Sequence, residues 1–206
     1  MIEVELKCEL IPEVERKLRE RLGSMKFRGV LQSLDRYYDT ARFDFLQQAV
    51  FVRVRNESQL QFKYNESSDL AHVQSLERVF PLVPESIQQV EEMNALFTRF
   101  LPEWRATSTF EMARSANKLV ELARIRNRRE AYINDDVEVS IDHVEGLGDF
   151  LEVELQCGED ADTSKALAKL RTFISEFGAQ PVNIGYVEMW LRIHKPEAYR
   201  LGKYRQ

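Results

Sequence analysis

Long apolar runs and cysteine are scarce in this sequence, and each scarcity removes a class of protein. None of its 206 residues lies in an apolar run near the roughly 20 residues needed to span a bilayer, so we expect no membrane partner. Cys8 and Cys157 form no CxxC motif, which argues against a disulfide framework or a zinc site. The first residues lack the basic and apolar segments of a secretory signal, so we expect a cytoplasmic protein.

Positive charge is also in deficit. The chain has 29 Lys and Arg residues against 34 Asp and Glu residues, which gives a net charge of −5. Non-specific binding to duplex nucleic acid normally uses a basic surface, so we expect no nucleic-acid partner. A small anionic ligand is still compatible with this balance, because its binding depends on how cations are arranged locally.

Short alternating segments dominate the rest of the chain. They predict seven or eight strands joined mostly by short turns, with helices at 12–22, 85–101 and 164–178 and a further helical turn or two at 185–194. No low-complexity segment or flexible linker divides the sequence, which predicts one domain over residues 1–206. The expected class is α+β, with an antiparallel sheet large enough to curl or close and helices covering it.

Charged side chains occupy one face of nearly every predicted strand. In the first strand Glu3, Glu5 and Lys7 alternate with apolar residues, and later strands follow the same pattern. The cations on these faces are Lys7, Arg53, Arg55, Lys63 and Arg129. The anions are Glu3, Glu5, Glu77, Asp142, Glu152 and Glu154.

Two interpretations of this charged face are open. The simpler one is a half-exposed antiparallel sheet whose polar face meets solvent. The other is a closed barrel whose charged face becomes the lumen, which is costly unless the charges are paired or bind ions. Arg and Lys suit phosphate oxygens, and carboxylates are hard ligands for Mg²⁺ or Mn²⁺. The second interpretation therefore predicts a phosphate ligand that metal ions bridge to the carboxylates.

The order of the charged segments resembles a known family. Glu3-Val4-Glu5-Leu6-Lys7 is similar to the Glu-x-Glu-x-Lys signature of the CYTH superfamily, also called triphosphate tunnel metalloenzymes. Its members include thiamine triphosphatases, inorganic triphosphatases and class IV adenylate cyclases. The later segments that resemble the family are Asp35-Arg36-Tyr37-Tyr38-Asp39, Val52-Arg53-Val54-Arg55, Phe62-Lys63, Glu77, Arg129-Glu130-Ala131-Tyr132, and Asp142 followed by residues 146–154.

The resemblance implies a fold and a site. The fold is an eight-stranded antiparallel β-barrel that forms a triphosphate tunnel, with helices packed outside. The five cations named above would bind a triphosphate, and the six carboxylates would hold Mg²⁺ or Mn²⁺. Lys7, Glu5 and Glu154 are the candidate catalytic residues. We expect crowding by Arg53 and Arg55 to lower the pKa of Lys7, so that Lys7 positions or deprotonates the attacking water.

Two further features bear on the tunnel. The near-identical segments IEVELKC (2–8) and LEVELQC (151–157) are expected to face each other across one lumen. Family members often carry Lys two residues before the position of Arg129, where this chain has Asn127. Either a bulge brings one of the neighbouring arginines inward or that contact is missing. These arginines are Arg124, Arg126 and Arg128.

The expected function is a metal-dependent hydrolase that cleaves the terminal phosphoanhydride of inorganic triphosphate, thiamine triphosphate or a nucleoside triphosphate. One alternative is a class IV-type adenylate cyclase, in which the ribose 3′-oxygen attacks the α-phosphorus of ATP. Another is a polyphosphate-binding module without turnover, which a missing motif carboxylate would favour. Hydrolysis is preferred because the sequence has no separate signal for an adenine pocket, such as a Gly-rich loop. The expected assembly is a monomer or homodimer.

Overall fold

The computed structural model describes residues 2–65, 74–158 and 161–203. The strands in these ranges are β1 (Ile2–Glu9), β2 (Lys26–Asp39), β3 (Phe51–Arg55), β4 (Gln59–Tyr64), β5 (Gln74–Pro81), β6 (Val120–Asn134), β7 (Val137–Val144), β8 (Gly148–Cys157) and β9 (Pro181–Val182). The helices are α1 (Pro12–Leu22), α2 (Ile87–Phe100), α3 (Phe110–Ala116), α4 (Thr163–Ser175), α5 (Tyr186–His194) and α6 (Pro196–Leu201). A short 3-10 helix lies at Leu46–Gln48.

Eight antiparallel strands close into a barrel. Hydrogen-bonded neighbours follow the order β5, β4, β3, β2, β6, β7, β8, β1. The barrel closes where β1 pairs with β5, with Ile2 opposite Leu76 and Glu3 opposite Ser75. The last residues of β1 pair with β9 instead, at Lys7 and Cys8. The predicted eight-stranded antiparallel barrel is therefore confirmed.

The apolar sides of the strands face outward, under the helices. Helices α1 and α4 pack on β1, β7 and β8 around Leu18, Leu170 and Val153, none of which is exposed. Helices α2 and α3 cover β3 and β4, where Phe97 stacks on Trp104 with 3.8 Å between ring centroids. Since burial of these faces leaves the alternate residues inside the barrel, the lumen is polar. No helix in the described ranges has the length and apolar composition that crossing a bilayer requires.

The strand β2 is longer than the sequence pattern predicted. The sequence pattern predicts a strand only from residue 35 onward, whereas β2 begins at Lys26 and pairs with β6 along its whole length. A register shift between Phe27 and Gly29 breaks the alternation there, and Gly29 has a φ of 130°, a value that favours glycine. The first part of β2 is therefore a strand because it pairs with β6, although its alternation of side chains is irregular.

Helix α5 lies at one end of the barrel. Val187 and Leu191 on this helix belong to a buried apolar cluster that includes Leu122 at the start of β6 and Phe150 at the start of β8. The preceding β9 pairs with the last residues of β1. Both contacts bring the segment 182–188 to the same end of the barrel, next to the lumen.

Candidate active site

The inward-facing side chains line a cavity of about 230 Å³ inside the barrel. All five predicted cations line it: Lys7, Arg53, Arg55, Lys63 and Arg129. Five of the six predicted carboxylates also line it: Glu3, Glu5, Glu77, Glu152 and Glu154. The fold thus brings together in one cavity residues that the sequence distributes over six strands.

The two near-identical strands are neighbours in the barrel wall. Glu5 lies directly across from Glu154, and Lys7 lies across from Glu152, in the antiparallel pair of β1 and β8. The expectation that these segments face each other across the lumen is wrong, because they share backbone hydrogen bonds. Directly paired residues have Cβ atoms about 4.5–5.5 Å apart, so this pairing concentrates carboxylates on a single wall.

Two lysines neutralise part of this acidic wall. Lys7 Nζ lies 2.8 Å from Glu152 Oε2 and 3.6 Å from Glu5 Oε1. Lys63 Nζ lies 2.9 Å from Glu5 Oε2 and 3.5 Å from Glu3 Oε2. Burial acts to raise the pKa of Glu5, but attraction to Lys63 and Lys7 outweighs it and lowers that pKa to about 2. Glu5 therefore stays ionised between two ammonium groups.

Two other carboxylates on the wall hold protons more readily. Burial raises the pKa of Glu3 well above its ordinary value, although the charge of Lys63 opposes this. Burial also raises the pKa of Glu154, and repulsion from Glu152 adds to the effect. The acidic wall therefore contains both firmly ionised carboxylates and carboxylates that can bind a proton.

Lys7 does not have the low pKa expected from the sequence. Burial acts to lower the pKa of Lys7, but attraction to Glu152 and Glu5 raises it above its ordinary value. The expected crowding by Arg53 and Arg55 does not determine its charge, because both arginines are paired with Asp35. Lys7 is thus a stable cation that suits a phosphate oxygen, and it is unsuited to deprotonating water.

The buried Asp35 holds both arginines of β3. Arg55 donates from Nε to Asp35 Oδ1 and from Nη2 to Oδ2, each at 2.7 Å, and Arg53 Nη1 donates to Oδ2 at 3.1 Å. Arg53 also donates to Gln61 at 2.6 Å and to Glu77 at 3.2 Å. Asp35 is not among the predicted site residues, although the alternation along β2 is a signal that places it inside the barrel.

Asp142 differs in its position from the other five predicted metal-binding carboxylates. It is fully buried and is absent from the cavity lining. Arg129 donates from Nε to Asp142 Oδ1 at 2.7 Å and from Nη2 to Oδ2 at 2.6 Å, and the hydroxyl of Tyr186 donates to Oδ2 at 2.7 Å. Because both oxygens are engaged behind Arg129, Asp142 does not fit the predicted role of metal ligand. It orients Arg129, which also donates to Glu152 at 2.5 Å.

Residues 182–188 form a part of the cavity wall that sequence reasoning missed. Tyr186 and Glu188 from the first turn of α5 line the cavity, and Glu188 is 3% exposed. Burial raises the pKa of Glu188 to about 7, although its own backbone N–H, the charge of Lys7 and the backbone N–H of Gly185 oppose this. The only sequence signal was an acid three residues after the helix N-cap, which is typical of a capping interaction.

The arginines near Asn127 do not reach the lumen. They lie on the outer face of β6, where Arg124 pairs with Glu121 and Arg128 pairs with Glu130. Arg126 pairs with Glu145 on the same face. No bulge brings any of these three arginines into the cavity, so the inward position belongs to Asn127.

Two polar atoms in the cavity wall are buried without a hydrogen-bond partner among the described residues. They are Oδ1 of Asn127 and Oγ of Ser75. An unsatisfied buried polar group typically costs about 1–3 kcal/mol, so both atoms gain from a ligand that offers a partner. Ser75 is paired across the strands with Glu3, which places its hydroxyl on the acidic side of the cavity.

The donor chemistry of the acidic wall fits a divalent metal ion, although the described residues form no preassembled metal centre. Carboxylate oxygens are the ligands that Mg²⁺ prefers, and the unpartnered hydroxyl of Ser75 lies beside Glu3. Across the described ranges, no three His, Cys, Asp or Glu side chains are grouped closely enough to hold an ion. Lys63 holds Glu3 and Glu5 instead, so these carboxylates must exchange partners before they can bind a metal.

Comparison with known proteins assigns the family. The family model of the CYTH domain matches residues 1–184. The chain belongs to the CYTH domain family. A protein of Methanocaldococcus jannaschii named "Putative adenylate cyclase" is 25% identical over 194 residues, which cover 92% of this chain and 98% of the relative.

Solved structures share the fold of this CYTH protein. A protein from Pyrococcus horikoshii matches with a TM-score of 0.67 and 24% identity over 92% of this chain and 98% of its own. A "putative adenylyl cyclase" from Hippeastrum, described as having a dominant triphosphatase activity, matches with a TM-score of 0.55 and 20% identity. That match covers 99% of this chain and 97% of the Hippeastrum chain.

Proposed function

We propose that this CYTH protein is a metal-dependent hydrolase that cleaves the terminal phosphoanhydride of a triphosphate substrate. The observation that carries the proposal is the cavity itself, in which five cations from four strands face a wall of carboxylates. Arg and Lys side chains converging on one enclosed space are suited to a compact, highly charged anion such as a triphosphate chain.

Substrate binding is proposed as an exchange of partners. The five cations now pair with carboxylates, which avoids the large cost of an uncompensated buried charge. Phosphate oxygens would replace these carboxylates as partners, with the arginines donating in pairs and the lysines acting as point charges. The ion pairs of the ligand-free protein thus keep the binding groups close to the positions that they would take in the complex.

The carboxylates that this exchange releases are proposed to hold the metal. The released Glu3, Glu5, Glu77 and Glu152, together with Glu154, which has no cation partner among the described residues, would bind Mg²⁺ or Mn²⁺, which would neutralise charge on the phosphate oxygens. Acids already outnumber cations among the side chains that line the cavity. A polyanion without additional positive charge would therefore meet a repulsive wall, which is why we propose that the metal is required.

The attacking water needs a proton acceptor, and Lys7 does not supply one. Glu5 and Glu154 are paired across β1 and β8 and stay our candidate catalytic residues. Among the described residues no lysine or arginine forms an ion pair with Glu154, and its raised pKa suits it to accept a proton. Lys7 is proposed to bind a phosphate oxygen as a permanent cation.

Adenylate cyclase activity is the second candidate, since the relative from Methanocaldococcus jannaschii carries that name. The Hippeastrum protein, described as having a dominant triphosphatase activity, supports hydrolysis on the same fold. The two reactions share the triphosphate-binding groups and differ in which phosphorus meets the nucleophile. The cytoplasmic location and the assembly as monomer or homodimer stay predictions.

A product assay tests the proposal. The purified protein is incubated with inorganic triphosphate, thiamine triphosphate, ATP and pyrophosphate, each with Mg²⁺, with Mn²⁺ or with EDTA, and the products are separated by chromatography. We expect orthophosphate from at least one triphosphate and none in EDTA. Cyclic AMP as the main product from ATP, with the other triphosphates untouched, would replace hydrolysis with the cyclase reaction.

A further inference from the structure

Helix α5 touches the proposed triphosphate-binding groups through one side chain. The hydroxyl of Tyr186 donates to Asp142 Oδ2 at 2.7 Å, and the Nζ of Lys7 lies 4.3 Å from the centroid of the Tyr186 ring. The hydroxyl of Tyr186 is therefore a hydrogen-bond donor, and the face of its ring is a cation–π partner of Lys7. The motifs of the barrel strands do not include Tyr186.

These contacts belong to a closed ring of side chains. Asp142 holds Arg129 through two hydrogen bonds of 2.7 and 2.6 Å, and Arg129 contacts Glu152 at 2.5 Å. Glu152 contacts Lys7 at 2.8 Å, and Lys7 returns to the ring of Tyr186. This closed ring of side chains therefore contains two of the five proposed phosphate-binding cations, Arg129 and Lys7, and links both to α5.

Among the described residues, Arg129 and Tyr186 are the side chains that donate hydrogen bonds to the carboxylate of Asp142. Asp142 has no exposed surface, so without this hydroxyl no solvent replaces the lost hydrogen bond. The carboxylate could then rotate, and Arg129 would lose the fixed two-bond geometry that aims its guanidinium at the cavity. Burial, together with the negative charges of Glu152 and Asp142, raises the pKa of Tyr186, so its hydroxyl keeps the proton that it donates.

We propose that Tyr186 is a positioning residue that holds Arg129, through Asp142, and Lys7, through its ring, in the orientation that binds the triphosphate. The inference rests on the proposed function, because it concerns how that binding site is held. Helix α5 thereby has a role in substrate binding as well as a role in covering one end of the barrel.

Two substitutions separate the two contacts. Tyr186→Phe removes the hydroxyl and keeps the ring beside Lys7, whereas Tyr186→Leu removes both. We expect KM for inorganic triphosphate to rise about tenfold in Tyr186→Phe and further in Tyr186→Leu, with a smaller change in kcat. Tyr132→Phe is the matched control, since its hydroxyl bonds Glu130 on the outer face at 3.3 Å, and we expect wild-type kinetics.

A double mutant distinguishes positioning from a general loss of stability. If Tyr186 acts through Arg129, then Tyr186→Phe should change kcat/KM much less in an Arg129→Ala background than in the wild-type protein. Equal effects in both backgrounds would overturn the inference. So would wild-type kinetics in Tyr186→Phe when the wild-type protein hydrolyses triphosphate, and this outcome leaves the proposed function intact.

Binding provides the readout if the proposed reaction fails. When the wild-type protein turns over none of the triphosphates, the Kd for inorganic triphosphate in the presence of Mg²⁺ is measured by calorimetry for the same variants. Weaker binding in Tyr186→Phe, relieved in the Arg129→Ala background, supports the inference although hydrolysis is refuted. Equal binding by the wild-type protein and Tyr186→Phe, or no binding by either, overturns it.

Discussion

At the scale of single residues, pairing of opposite charges explains how a charged lumen is stable. Each of the five cations in the cavity contacts at least one carboxylate, and Asp35 and Glu152 each contact two cations. A buried charge without a partner is strongly destabilising, so the ligand-free protein needs these pairs. The same pairs are the contacts that a bound triphosphate and metal would have to replace.

The carboxylates of β1 and β8 give the first prediction. Glu5→Gln and Glu154→Gln preserve side-chain volume, and each removes the charge of a proposed metal ligand; Glu154→Gln also removes the proposed proton acceptor. We expect each to lower kcat roughly 10²–10⁴-fold. Steady-state phosphate release measures the effect. Glu9→Gln is the control, because Glu9 ends the same strand on the exposed surface. Wild-type activity in both cavity variants would place the active site elsewhere.

The arginines of β3 give the second prediction. Arg55→Gln should weaken triphosphate binding by about 1.5–3 kcal/mol, because it removes a charge-assisted contact while Arg53 still pairs with Asp35. Arg126→Gln removes an arginine from the outer face, where its ion pair with Glu145 is exposed, so we expect a change within about 0.5 kcal/mol. Calorimetric titration compares the two. Equal losses would mean that binding follows net charge and not this cavity.

Which site residues the sequence could predict depends on the kind of signal. Alternation along the strands placed Glu3, Glu5 and Lys7 on one face, and the barrel keeps that face inside. The pairing of β1 with β8 is a tertiary contact that no local pattern contains. For this reason the expectation that the two segments face each other across the lumen was wrong, and so was the expectation of a lowered pKa for Lys7. Tyr186 joins the site only because α5 folds back over one end of the barrel.

At the scale of elements, local signals predicted most helices but not their connections. Pro12 at the start of α1 and the apolar spacing of that helix agree with the structure. The sequence pattern of residues 108–119 is ambiguous, and they contain α3, a seven-residue helix capped by Thr109. The segment between α2 and α3 has no strong local pattern, and tertiary contacts hold it: Asn94 bonds Trp104 and Thr107, and Asn117 bonds the backbone of Arg105.

Asn94 on α2 gives the third prediction. Its Oδ1 accepts from Trp104 Nε1 at 2.9 Å and from the Thr107 backbone N–H at 3.1 Å, and its Nδ2 donates to the Thr107 carbonyl at 2.8 Å. Asn94→Ala leaves these groups unsatisfied, so we expect a loss of about 2–3 kcal/mol in the free energy of unfolding. Urea denaturation measures it, with Gln88→Ala on the exposed side of α2 as the control. A loss below 0.5 kcal/mol, within the usual ~0.5 kcal/mol range of surface changes, would contradict this role.

Glu188 on α5 gives the fourth prediction, which concerns pH. Burial raises its folded-state pKa to about 7, above the value of about 4.3 in an unfolded chain. The folded protein therefore binds this proton more tightly, so stability falls as pH rises from about 4.3 through 7. The difference between the two pKa values corresponds to about 4 kcal/mol, nearly all of which is lost by pH 8. Lys7 and Lys63 oppose the effect and are included in that pKa.

Glu188→Gln removes the titrating group and keeps an acceptor for the backbone amides at the start of α5. We expect the variant to gain up to about 3 kcal/mol in stability relative to the wild-type protein between pH 5 and pH 8. Urea denaturation at several pH values measures the difference, with Glu197→Gln in the exposed first turn of α6 as the control. Parallel pH profiles for Glu188→Gln and the wild-type protein would show that Glu188 is ionised throughout.

At the scale of the whole molecule, the barrel inverts the usual placement of polar and apolar residues. Its apolar strand faces form clusters with α1 and α4, with α2 and α3, and with α5 and α6 outside the barrel. Alternation along the strands was compatible with this inversion and with a half-exposed sheet, and the resemblance to the family implied the closed barrel. The sequence pattern did not predict that Val182, Ile184 and the first turn of α5 would line the cavity, since their position depends on the path of the chain after α4.

The charge of the cavity gives the last prediction. The five cations that line the cavity are all paired with carboxylates, so a triphosphate that takes these cations without a metal leaves ionised carboxylates without a partner. We expect a non-hydrolysable triphosphate analogue to stabilise the protein only when Mg²⁺ or Mn²⁺ accompanies it. At a hundred times Kd the stabilisation is about 2.7 kcal/mol, or roughly 5–10 °C in Tm for a chain of this size.

Thermal unfolding with analogue alone, with metal alone and with both separates the contributions, and sulfate at equal ionic strength controls for general salt effects. A metal that binds the carboxylates first should raise Tm slightly by itself, because it relieves repulsion among them. If the analogue in EDTA raised Tm as much as the analogue with Mg²⁺, the five cations would suffice to hold the triphosphate. The acidic wall would then need a role other than metal binding, because ionised carboxylates such as Glu5 and Glu152 beside a polyanion without a bridging cation weaken its binding.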